Sequence, residues 1–132
     1  MCGIAGVLGP PGGESLEAIA SAMADTMFRR GPDSGGVWSD VSSGVALSHR
    51  RLAILDLSPA GHQPMHSCDQ RYVVSFNGEI YNHLELRREL EAGRGARAWR
   101  GTSDTETLLE AVSAWGLRAA LQRARGMYAI AL

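Results

Sequence analysis

The sequence predicts a layered α+β fold, and three observations carry that expectation. Short strand-like runs and longer amphipathic segments are mixed without a regular βα alternation, which disfavours a doubly wound parallel sheet. The amphipathic segments are bounded by recognisable helix-start residues. At 132 residues, 45% of them hydrophobic and 20% charged, the chain is one domain by length and can bury a core.

The elements follow in order. "GIAGVL" after Cys2 is small and apolar with β-branched Ile4 and Val7, so it reads as a buried strand that ties down a terminus otherwise prone to fray. "GPPGG" is a turn. "ESLEAIASAMADTMFRR" spaces Leu16, Ile19, Met23 and Met27 at helical intervals, predicting one apolar face. Gly31 and Pro32 in "RGPDSGG" end that helix. "GVWS", "GVALSH" and "LAILDL" read as strands, "SPAGHQPM" as a loop and "RYVVSF" as a strand. Asn82 with Glu85, and Ser103 with Glu106, predict capping boxes opening helices over "HLELRREL" and "TETLLEAVSAW". "EAGRGARAWRG" connects them. "GMYAIAL" reads as a final strand, and an apolar strand at a chain end leaves an unprotected edge, so a chain cut short is expected.

A formal charge of −1 gives no nucleic-acid or anionic-membrane footprint. No apolar run approaches the roughly 20 residues a membrane helix needs. The first basic residue is Arg29, so the start lacks the basic region of a signal peptide. The two cysteines, Cys2 and Cys68, are too few for a disulfide scaffold, and a reduced, cytoplasmic chain is expected.

Cys2 is the first candidate for chemistry. If Met1 is removed, Cys2 carries both a thiol and an α-amine. The reference pKa of that amine, about 7.7–8.0, suits it to take the thiol proton. The alternative is a small buried hydrophobe. "SFNGEIYN" holds an Asn-Gly pair, which is a hairpin signal. It also fits an oxyanion hole, with the Asn77 amide and the Gly78 N–H aimed at one developing charge and no Cβ at Gly78 to block approach. Arg50 and Arg51 precede "LAIL", and either could grip a carboxylate through two parallel N–H bonds. Glu79 and Asp104 could face an ammonium group, although Asp104 also suits a helix start. His62 and His66 are separated by Pro64 and share no helix face, so no metal site is expected; His49 and His83 read as structural or solvated. No glycine-rich stretch has the P-loop pattern, so no nucleotide site is expected.

Six blocks in order, "MCGIAGVL", "RRGPDSGGVW", "SHRRLAILDLSPAGHQPM", "YVVSFNGEIYNHLELRREL", "GTSDTETLLEAVSAWG" and "RGMYAIAL", make the chain resemble class II glutamine amidotransferases. It is most similar to the glutaminase domain of glutamine-hydrolysing asparagine synthetases, across essentially residues 1–132. The resemblance implies an N-terminal-nucleophile hydrolase fold, a four-layer sandwich with helices outside two antiparallel sheets. It implies that Cys2 attacks the glutamine side-chain amide, releasing ammonia and then glutamate. Asn77 and Gly78 would form the oxyanion hole, Arg51 would hold the α-carboxylate, and Glu79 and Asp104 would lie near the α-ammonium. Leu52, Ala53, Ile54 and Leu55 would line the pocket. Arg30 and Asp33 receive no firm role. The domain itself needs no cofactor. Further strands, and a C-terminal synthetase domain using ATP, magnesium and aspartate, would follow in the family, and neither lies within these residues. A homodimer is left open. The alternatives are a glutaminase serving a different ammonia acceptor, or a truncated non-catalytic module.

Overall fold

The computed structural model describes residues 1–10, 15–94 and 98–132. Most of the "GPPGG" turn and residues 95–97 of the Gly- and Arg-rich connection lie outside them. Two small antiparallel sheets form. Strands β1 (Gly3–Leu8), β2 (Ser34–Asp40) and β3 (Val45–Arg51) make the first, in the order β1-β3-β2. Strands β4 (Met65–His66), β5 (Val73–Ile80) and β6 (Gly126–Ala131) make the second, in the order β4-β5-β6. The helices are α1 (Leu16–Thr26), α2 (His83–Arg94), α3 (Asp104–Trp115) and α4 (Leu117–Arg123). Helix α1 packs on the first sheet, α3 packs on β5, and β1 and β3 contact β5 across the gap between the sheets. The α+β expectation therefore holds, with every ladder antiparallel. Among the described residues no helix is long and apolar enough to cross a membrane.

The first helix buries a different stripe from the one its large residues predict. Ala20 and Ala24 are the buried positions, while Ile19 and Met23 are 37% and 39% exposed. The cause is close approach to the sheet. At the two ends of the helix Leu16 and Met27 seat on glycines of the sheet side, where a Cβ at Gly9 would lie 2.9 Å from Leu16 Cδ2 and one at Gly3 2.9 Å from the Met27 Cβ, and between them Ala20 and Ala24 face inward. Ser15 caps this helix, accepting from Ala18 N.

Three further expectations change. "LAILDL" is not a strand: Leu52–Leu57 is irregular, with Ile54 and Leu57 exposed. Its amides are taken by side chains instead, since Ala53 N donates to Asp33 Oδ2 at 2.8 Å. Asn82 forms no capping box. Its side chain donates to Arg123 O and accepts from Arg125 N, clipping the start of α2 to the chain leading into β6. Ser103 does cap α3, accepting from Glu106 N at 3.2 Å, but the Glu106 carboxylate turns to Arg100 N and Gly101 N. Gly116, at φ +81°, ends α3 and begins the short α4, which its left-handed backbone permits.

The main core lies between the second sheet and its helices. Met65, Val74, Phe76 and Ile80 pack on Leu86, Leu108 and Leu109, all nearly inaccessible. Leu90, Ala111, Val112 and Ala120 extend it outward. Each large buried side chain contributes about 1.5–3 kcal/mol. The close fit beneath α1 makes a sharp contrast. Ala24→Leu should destabilise the chain by about 1–3 kcal/mol through overpacking. Met23→Ala, one residue away on the open side, should change stability by no more than about 1 kcal/mol in urea unfolding.

Candidate active site

One cavity of about 490 Å³ lies where the start of β1, the end of β3, the middle of β5 and the first turn of α3 converge. Cys2 reaches it because Gly3 opens the β1–β3 ladder opposite Arg50. The Cys2 thiol is half-buried. Its sulfur accepts from Leu52 N at 3.4 Å, and the thiol faces Leu52 O at 3.6 Å. Arg30 Nε donates to Cys2 O at 3.1 Å. The "RGPD" turn thus holds the cysteine backbone through Arg30 and the adjacent loop through Asp33.

Asn77 and Gly78 lie inside β5 and form no hairpin turn. A two-residue hairpin turn needs positive φ at its first residue, which would be Asn77, and Gln70 is the one non-glycine with positive φ among the described residues. Facing sides alternate along an antiparallel strand. Phe76 N donates to Gln63 Oε1 at 2.7 Å and Ile80 N to Asp104 Oδ2 at 2.8 Å, both on the edge away from β6. By the same alternation the Gly78 N–H leaves from that edge, and Gly78 lines the cavity there. The missing side chain serves the opposite side. A Cβ at Gly78 would lie 2.3 Å from Met127 O of β6, so the glycine permits strand pairing rather than ligand approach.

Arg51 is the arginine at the cavity; Arg50 turns the other way, donating to Gly31 O at 3.0 Å and lying over the Phe28 ring. Arg51 donates through Nη1 to Ser58 O at 3.0 Å and through Nη2 to Asp56 O. Both partners are neutral carbonyls, which fix the guanidinium plane and leave further N–H groups for an anion. Gly61 lets the guanidinium lie against the loop, where a Cβ would be 2.1 Å from Nη2. Glu79 is exposed on the cavity wall. Asp104 is 5% exposed, accepting from Ile80 N and Thr105 N. Burial raises its pKa above the usual carboxylate value.

The cavity therefore gathers Cys2, Arg51, Asn77, Gly78, Glu79 and Asp104, together with Leu52, Ile54 and Leu55. Ala53 does not line it; its amide is turned to Asp33. Sequence reasoning missed Asp56 and Gln63. Asp56 is buried and clamps the Arg51 loop, accepting from Ser58 N, Ser58 Oγ and Thr102 N. The Ser58 hydroxyl is the main cause of its lowered pKa. An aspartate two residues before a serine is a known local turn pattern and was legible in "LDLSP". Nothing local marks Gln63.

His49 is fully buried between the sheets, and its Nε2 donates to Phe76 O at 3.0 Å. Burial lowers its pKa from an ordinary 6.5 to about 4. The unfolded chain therefore binds the His49 proton first. The stability this neutral histidine contributes is full above pH 6.5 and is lost as pH falls toward 4. Asp104, with a raised pKa, acts in the opposite sense above its ordinary value of 3.8. In urea unfolding across this interval, the chain should lose stability on acidification, and His49→Gln should remove that loss. Equal slopes for the two proteins would contradict the assignment.

Over residues 1–132 the chain matches the family of the glutamine amidotransferase domain. It is 39% identical to Bacillus subtilis asparagine synthetase [glutamine-hydrolyzing] 1, an alignment covering 98% of this chain and 20% of that protein. It is 35% identical to Arabidopsis thaliana asparagine synthetase [glutamine-hydrolyzing] 1, over 89% of this chain and 19% of that protein. A Mycobacterium tuberculosis protein provisionally given the same enzyme name is 42% identical over 100% of this chain and 22% of its own length. The chain thus spans about a fifth of the length of the curated relatives it matches.

Proposed function

Because the chain belongs to the family of the glutamine amidotransferase domain, we propose that it is the glutaminase portion of an asparagine synthetase-like enzyme, with Cys2 as nucleophile. The observation that carries this reading is the convergence of Cys2, Arg51, Asn77 and Gly78 on one cavity. The succession of α1, two stacked sheets and α3 supports an N-terminal-nucleophile sandwich.

The chemistry is written from this chain's groups. Removal of Met1 frees the Cys2 amine, which takes the thiol proton. Arg51 holds the glutamine α-carboxylate, while Glu79 and Asp104 face its α-ammonium. The sulfur attacks the side-chain amide carbon, and the carbonyl oxygen becomes an oxyanion held by the Asn77 amide and the Gly78 N–H. Collapse expels ammonia, protonated by the amine, and leaves a γ-glutamyl thioester. Water, deprotonated by the same amine, attacks the thioester; glutamate departs and the thiol re-forms. None of these steps calls for a cofactor. ATP, magnesium and aspartate belong to a synthetase portion, where the ammonia is consumed. A reduced, cytoplasmic setting keeps Cys2 a thiol.

Glutamate release from glutamine tests the reading. Cys2→Ser should lower turnover by several orders of magnitude, and an uncleaved N-terminal tag should do the same by converting the amine to an amide. Turnover equal to that of the untagged parent in either protein would refute the proposed nucleophile or its base.

A further inference from the structure

The edge of β5 that faces the cavity has lost its strand partner. β4 pairs only with Val73 and Val74, so from Phe76 onward the amides on that side need other acceptors. Gln63, 6% exposed in the loop before β4, supplies one: its Oε1 accepts from Phe76 N at 2.7 Å. Its Nε2 donates to Thr105 Oγ1 at 3.3 Å. Thr105 adjoins Asp104, whose carboxylate accepts from Ile80 N. A closed brace results, running Phe76, Gln63, Thr105, Asp104, Ile80, with Gly78 midway between its two ends on the strand.

We propose that Gln63 is a positioning residue for the glutamine-hydrolysing reaction: it sets where the Asn77 amide and the Gly78 N–H stand relative to the Cys2 sulfur. This rests on the glutaminase reading above. The role requires one side chain that both accepts and donates at that span, which glutamine does and an apolar residue cannot. A carboxylate there would place a second acid beside buried Asp104. Without Gln63 the Phe76 amide is unsatisfied at a buried position, and the strand can relieve this only by shifting or admitting water. Such a shift moves the donors off the oxyanion, whereas Arg51, held by Ser58 O and Asp56 O, takes no bond from the brace.

The test separates transition-state placement from substrate binding. Gln63→Met removes both hydrogen bonds; Gln63→Asn keeps an amide one methylene too short to reach Phe76 N and guards against a folding failure of the first variant. In steady-state glutamine hydrolysis by this chain, both variants should lose roughly tenfold to a hundredfold in kcat, while KM and competitive inhibition by L-glutamate change by less than about threefold. Retention of the parent kcat in either folded variant overturns the proposal. So does a rise in KM and in the L-glutamate inhibition constant with kcat kept, which would make Gln63 a direct substrate contact. A parent chain that neither hydrolyses glutamine nor binds L-glutamate overturns the glutaminase reading, and this inference with it.

Discussion

The candidate site depends on how one edge of β5 is satisfied. A strand that outruns its partner exposes backbone groups, and each one left buried and unpaired costs about 1–3 kcal/mol. Here the Phe76 amide goes to Gln63, the Phe76 carbonyl receives His49, and the Ile80 amide goes to Asp104. These side chains come from the loop before β4, from the first sheet and from α3. The same bonds that complete the edge therefore lock three parts of the fold around Gly78. Strand β6 closes the other edge so tightly that only a glycine fits at that position.

A second constraint acts on the loop after β3. Residues Leu52–Leu57 are apolar enough to read as a strand, yet their bonding is dictated by side chains. Asp33 takes the Ala53 amide, Cys2 Sγ takes the Leu52 amide, and Asp56 ties the far end to Thr102 N. The loop carbonyls in turn fix Arg51. Cys2 Sγ and the Arg51 guanidinium are thus held by one segment, which couples the proposed nucleophile to the group proposed to bind the substrate carboxylate. Glu106 does comparable work behind the site. It binds Arg87 and Arg100 and accepts from Gly101 N, ordering the turn that delivers Asp104.

Much of this was legible in the sequence, and the failures have physical causes. The mixed strand and helix order gave the α+β class, because antiparallel sheets need no regular helical crossover. Cys2 was conspicuous because a strand begins one residue later. Long-range competition was not legible. Local pattern favoured Ile19 and Met23 with Leu16 and Met27 as the buried face of α1, but the helix turns Ala20 and Ala24 inward and leaves Ile19 and Met23 exposed. Asn82 has the residue type of a helix cap, but Arg123 O and Arg125 N claim its side chain. Asn77–Gly78 has the letters of a hairpin, yet β6 pairs straight through it. Gln63 gave no local sign, since its two partners lie 13 and 42 positions away in sequence.

The proposed glutaminase reading requires that Cys2 and the cavity it lines form one glutamine-binding site. The most direct measurement is the intact mass of the chain after exposure to a glutamine-mimicking diazo-ketone, with and without excess glutamine. Cys68, exposed on the surface, provides an internal control for unselective alkylation. The account predicts loss of Met1 and a single adduct, located on Cys2, that glutamine suppresses. An adduct that glutamine does not suppress, or labelling of Cys68 with Cys2 untouched, would contradict it.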